Sequence, residues 1–147
     1  MKEEVALNYF NNGYNCSQAV LGAFCEEYGI DLDKACKMAV AFGGGVSRQG
    51  RMCGCLAGAL MVLGLQYGQD STQSVDIRIQ NYELGKELCK EFIRVNGALD
   101  CKDIIKYNLN NIEERAEAQK ADVFKNRCSQ VVVNTAKLLE AFLEDNK

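Results

Sequence analysis

The chain of 147 residues contains no histidine and no proline. Each absence removes a class of chemistry. Without histidine there is no imidazole base, no Cys–His nucleophile pair and no imidazole metal ligand. Without proline there is no cis-proline to face a reactive disulfide, as thioredoxin-like folds require. No C-x-x-C occurs either, so the sequence argues against a familiar disulfide oxidoreductase.

Excess positive charge is also missing. Seventeen Lys and Arg stand against 20 Asp and Glu, a net charge of −3, with the two signs mixed along the chain. No broad positive field results, so neither nucleic acid nor a membrane surface is expected as a partner. The opening MKEEVALNYF puts Glu3 and Glu4 where a signal peptide would carry cations ahead of an apolar core. A cytoplasmic protein is predicted. Residues 52–67 carry no charge, but they fall short of the ~20 residues of a membrane span and include Gly54, Gly58 and Gly64. They predict a buried helix.

What the chain has in quantity is sulfur: eight cysteines, at positions 16, 25, 36, 53, 55, 89, 101 and 128. In a small secreted protein an even number suggests a disulfide framework, but this chain is longer, less cysteine-dense and expected in a compartment where thiols stay reduced. Metal binding, redox chemistry and inert packing are the roles left.

The hydrophobic periodicity is helical nearly throughout, and the length suits one domain with one core. A short helix over residues 3–11 is broken by NNGYN. Asn15 then caps a helix running to about Tyr28 and ended by Gly29. Asp31 or Asp33 caps the next, with Leu32, Cys36, Ala39 and Val40 at helical spacing. The run FGGGVSRQG is the principal loop and leads into the buried helix after Cys53. GQDSTQ separates that helix from a long amphipathic one over about Val75–Val95, closed at Asn96–Gly97. Asp100 and Asp103 head a brief helix ending near Asn108. A last helix carries Phe124, Cys128, Val131, Thr135, Leu138 and Phe142 as one stripe. Strands lack support, since no alternating segment is bounded by two turns. The expected fold is a single all-α helical bundle over residues 1–147.

Helix position sorts the cysteines. A thiolate is the form that attacks or ligates, and a helix N-terminus stabilises it through unpaired amides. Cys16 follows the cap Asn15, Cys101 follows the cap Asp100, and Cys53 stands where the glycine loop becomes helix. Cys128 joins them if its helix starts at Asn126 but not if it starts at Asp122. Cys25 lies half a revolution from Cys16 on one helix, and Cys36 and Cys89 sit in apolar stripes, where cysteine packs as a small hydrophobe. Cys55 would point about 200° from Cys53 on an ideal helix, so it is an accessory thiol only if the turn is irregular there.

The four selected cysteines are dozens of residues apart, unlike the close pairs of a zinc ribbon. That spacing suits a site assembled where several helix ends converge, holding an iron–sulfur cluster or a set of redox thiols. Gly43–Gly45 and Gly50 allow close backbone approach, and loop amides favour negative sulfur. No G-K-[ST] follows, so a nucleotide site is not expected. Gly54 and Gly58, four apart, would let a neighbouring helix pack closely beneath the site. Arg48 and Arg51 could offset negative charge there, with solvated loop cations as the default reading.

YNCSQAV at Cys16, CGCLAGALMVLGL from Cys53 and RCSQVV at Cys128 resemble a family of redox-active proteins named for four cysteines and a CGAxxG motif, the C_GCAxxG_C_C family. In this chain the motif reads Cys53, Gly54, Cys55, Leu56, Ala57, Gly58, with Cys55 in place of alanine, and AFGGG matches the family's glycine loop. The resemblance spans about residues 12–143 and puts the family's remaining cysteine at Cys101. It implies a redox or cluster-binding set of Cys16, Cys53, Cys101 and Cys128. The family also looks like the helical domain of split-Soret cytochromes, which implies a two-iron cluster on these four. Haem is not carried over, because C-x-x-C-H and histidine are both absent.

The leading expectation is therefore electron transfer or thiol redox with an unidentified redox partner. The alternative is a non-catalytic metal-binding or partner-binding helical module. No enzymatic constellation is legible, and the oligomeric state, a homo-oligomer included, is left open.

Overall fold

The computed structural model describes residues 1–72 and 74–146. Its elements are α1 (Lys2–Asn11), α2 (Cys16–Phe24), α3 (Leu32–Ala39), α4 (Gly54–Tyr67), α5 (Val75–Asn96), α6 (Cys101–Ile105), α7 (Ile112–Lys120) and α8 (Ser129–Asp145). No strand occurs among the described residues; a lone antiparallel bridge joins Met52 to Asp100. The all-α fold expected from the periodicity is the fold observed, and none of the described helices is long and apolar enough to cross a membrane.

α2 is the axis of the bundle. Ser17 and every residue from Ala19 to Phe24 are buried, as a helix apolar on all sides requires. α1, α3, α4 and α8 pack around it, and α5 lies against α4 and α8. The α2–α4 seam is close because α4 presents glycine to it. A Cβ at Gly58 would stand 2.8 Å from the Ser17 carbonyl oxygen, and one at Gly54 would stand 2.5 Å from Cys16 Sγ. The expectation that these two glycines admit a neighbouring helix is met.

Most caps fall where the sequence puts them. Asn15 forms a full capping box with Gln18, Asp31 accepts from the Lys34 amide, and Gly29 and Gly97 end their segments in the left-handed conformation. Asp31 rather than Asp33 is the cap of α3. Of its expected stripe only Ala39 is buried, while Val40 is 55% exposed.

Four features depart from expectation. α6 stops at Ile105, with Lys106 left-handed, three residues short of Asn108. α7 had no counterpart in the periodicity. The last stripe is rotated: Val131, Val132, Thr135, Ala136 and Leu139 are buried, whereas Phe124, Cys128, Leu138 and Phe142 are partly so. Within the loop GQDSTQ, Gln73 lies outside the described residues.

The fourth departure is the glycine loop, which is wound rather than open. Gly44, Gly45, Val46, Ser47 and Arg48 all have φ between +55° and +71°, a left-handed turn that costs about 1–2 kcal/mol per non-glycine residue. Hydrogen bonds from the Gly50 amide to the Gly44 carbonyl (3.2 Å) and from the Arg51 amide to the Gly45 carbonyl (2.9 Å) hold it closed. At Gly45 a Cβ would lie 2.6 Å from the Arg51 nitrogen and 2.7 Å from Cys101 Cβ, so this position has room for glycine alone.

Candidate functional site: a cavity lined with sulfur

Where α2, α4 and α6 begin, the bundle opens into a cavity of about 640 Å³. Cys16, Cys53, Cys101 and Cys128 all line it, and Cys55 lines it as a fifth thiol. Gly43, Gly44 and Gly54 form part of its wall; Phe10, Ile104, Ile105, Leu109, Phe124 and Val131 supply apolar surface. Arg48 and Arg115 reach it, but no Asp or Glu is among its lining residues.

Cys16 is the first residue of α2. The Asn15 side chain accepts from the Gln18 amide (3.0 Å) and the Ser17 hydroxyl (2.8 Å), while the Cys16 and Ser17 amides face the sulfur. The Cys55 S–H donates to Cys16, and the backbone amides of Gly44, Ser17 and Cys16 do the same. These donors outweigh burial and hold the Cys16 thiol at about 7, below the ordinary 9.0. The left-handed turn is thereby tied to the chemistry, since it aims the Gly44 amide at sulfur.

Cys53 is the cap of α4, with φ −55° and ψ 134°. Its backbone is extended, so Cys55 does not sit 200° away as an ideal helix would dictate, and both line the cavity. The Cys53 amide donates to the Leu99 carbonyl (3.0 Å) and the Cys101 amide to the Arg51 carbonyl (2.6 Å). With the Met52–Asp100 bridge, these bonds fasten the two cysteine-bearing loops side by side. Burial and the adjacent Cys16 and Cys53 sulfurs push Cys55 well above its ordinary value. Burial, then the charges of Cys53 and Cys16, push Cys101 up to about 12.

Cys128 arrives differently. Asp122 is left-handed (φ 54°), and the Asn126 amide donates to its carbonyl (2.9 Å). The helical path therefore starts just after Asp122, not at Asn126. Phe124–Cys128 forms one over-wide turn ahead of α8, a feature frequent at functional sites. Cys128 is thus inside a helix and has no free amides of its own. Burial raises its pKa first, followed by the charges of Cys16, Cys101 and Cys53.

Cys25, Cys36 and Cys89 do not line the cavity. Cys25 is wholly buried and donates to the Gly22 carbonyl (3.5 Å), while Cys36 and Cys89 are half-buried; burial raises all three pKa values. Arg115 and Gln119 of α7 are lining residues that sequence reasoning passed over. Asn111 followed by Glu113 and Glu114, a cap with an acidic first turn, was the available signal. Among the described residues no three Cys, Asp or Glu side chains are gathered into a ready-made site for a single metal ion.

An "Uncharacterized protein" of Archaeoglobus fulgidus (strain ATCC 49558 / DSM 4304 / JCM 9628 / NBRC 100126 / VC-16) is 23% identical over 97% of this chain and 93% of its own length. No solved structure matches the chain. The sequence model described as "Putative redox-active protein (C_GCAxxG_C_C)" matches residues 14–142, and that span includes every cysteine lining the cavity. The chain belongs to this redox-active family.

Proposed function

We propose that this protein is an electron-transfer protein whose working site is the cavity of Cys16, Cys53, Cys101 and Cys128, and that these four thiolates hold a two-iron iron–sulfur cluster. One observation carries the reading: four thiols from four separate segments line a single cavity with no carboxylate in its wall. The donor set fits the group. Fe–S clusters are held by thiolates, and hydrogen bonds to sulfur help set their potential. A two-iron cluster takes its ligands as a pair on each metal, so the lack of a three-ligand site for one ion does not oppose it. When bound, such a cluster supplies one-electron transfer.

The protein's own part is electrostatic. The amides of Cys16, Ser17 and Gly44 meet negative charge at Cys16. Cys101 and Cys128 are held protonated by burial and by their neighbours' charge. A cation placed among these sulfurs removes that repulsion, so binding it releases protons.

Anaerobic purification followed by iron and sulfide assays and a visible spectrum tests the reading. A brown protein bleached by dithionite, with colour and iron lost in the Cys16→Ser, Cys53→Ser, Cys101→Ser and Cys128→Ser variants, is expected. A protein that stays colourless after incubation with iron and sulfide overturns it. A colourless, zinc-bearing product would instead favour a non-catalytic metal-binding module.

A further inference from the structure

Five thiols line the cavity, and the reading above uses four. Cys55 is 1% exposed, and its S–H is directed at the Cys16 sulfur. The two residues belong to different helices, yet the α2–α4 seam is so narrow at Gly54 that Cys16 Sγ would lie 2.5 Å from a Cβ there. Both side chains line the same cavity, but Cys16 is half-buried whereas Cys55 is buried. A reagent entering the cavity therefore meets Cys16 first, and the partner able to displace it is already in contact.

Cys53 also touches Cys55. A bond between those two would close a small ring across the single residue Gly54, at a turn fixed by the Cys53 cap, which opposes the geometry a disulfide needs.

We propose that Cys16 and Cys55 are a dithiol–disulfide pair, oxidised by a small-molecule disulfide, and that closing this bond withdraws Cys16 from the four-cysteine set; the second half rests on the cluster reading above. In the first step the Cys16 thiolate attacks one sulfur of R–S–S–R. The Cys16–S–S–R bond forms, the R–S–S–R bond breaks, and one RS⁻ leaves. The Cys55 proton passes to that RS⁻, giving RSH. The Cys55 thiolate then attacks the Cys16 sulfur, forming Cys16–S–S–Cys55 and expelling the second RS⁻. The protein loses two electrons, and the small disulfide gains them as two thiols.

The test uses the reduced, iron-free protein and oxidised glutathione. After alkylation of the remaining thiols and proteolysis, tandem mass spectrometry should find a Cys16–Cys55 link and six alkylated cysteines of the eight. The Cys55→Ala variant should instead accumulate Cys16 as a lasting mixed disulfide with glutathione. A wild-type protein that retains the Cys16–glutathione adduct to the same extent as Cys55→Ala, or that links Cys53 to Cys55, overturns the proposal.

A second measurement tests the withdrawal. The disulfide form, offered iron and sulfide, should take up less than one-tenth of the iron taken up after dithiothreitol treatment, and equal uptake overturns this half. A reduced protein that takes up no iron sinks the cluster reading and the withdrawal with it. The peptide link decides the dithiol pair on its own.

Discussion

The tripeptide Cys-Ser-Gln occurs twice, at residues 16–18 and at 128–130, and the two copies behave differently. In the first, Asn15 stops the chain from being helical, so Cys16 starts a helix and Ser17 and Gln18 complete its cap. The Ser17 hydroxyl is buried and shares its one proton between the Asn15 side-chain oxygen (2.8 Å) and the Ala39 carbonyl (2.7 Å). The Gln18 side chain accepts from the Asn15 amide (2.9 Å) and donates to the Cys36 carbonyl (3.0 Å). In the second copy Arg127 precedes the cysteine and the helix is already under way. Ser129 donates back to the Lys125 carbonyl, and Gln130 pairs with Asn134 (2.8 Å) on the exposed side. Identical residues are made a start or a middle by what stands before them.

Each position of the tripeptide yields a way to break that comparison. The largest difference is expected at cysteine. In the reduced, metal-free protein Cys16, held at about 7, is half thiolate at neutral pH; an ordinary thiol near 9 is ionised roughly fifty-fold less there. Cys128 is raised further still. Iodoacetamide labelling of Cys16 should rise through about pH 7, while Cys128 stays nearly unlabelled. Equal rates at the two sites would remove the distinction. Because folding depresses the Cys16 pKa, its contribution to stability is present above 9.0 and is lost as pH falls through about 7. Replacing the donor in Cys55→Ala should move the Cys16 labelling midpoint upward toward the ordinary value.

Serine comes next. Ser17→Ala strands a buried carbonyl and loosens the cap, which should lower unfolding free energy by about 2 kcal/mol in a urea titration. Ser129→Ala, at a half-buried position whose hydroxyl bonds only back along its own helix, should stay within about 0.5 kcal/mol. Gln18→Ala should cost about 1 kcal/mol by the same titration. Gln130→Ala should cost nothing measurable, and a larger loss there than at Gln18 would sink the cap argument.

What was legible in the sequence is what short-range chemistry decides. Asn15 and Asp31 mark starts and Gly29 and Gly97 mark ends, because each satisfies the backbone within a few residues, whereas Asp100 marks a start without a side-chain cap bond. α7 escaped notice because it has no apolar stripe, only Ala118 being buried. The left-handed turn escaped because Val46, Ser47 and Arg48 resist positive φ on their own. Contact of Gly45 with Arg51 and Cys101, made only in the folded molecule, overrides that resistance. Three cysteines of the site were placed by their helix starts, and Cys53 and Cys55 share the cavity because a cap residue is not bound by helical spacing. Cys128 has no cap ahead of it, and its position depends on one widened turn.

The glycine seam has a mechanical consequence. Side chains between two helices act as a cushion, absorbing a small displacement by changing rotamer, but at Gly54 and Gly58 α2 and α4 touch along their main chains and have no such compliance. A change in the bonding of Cys16 must therefore shift a whole rod against its neighbour, so the sulfur site and the axis of the bundle move as one piece.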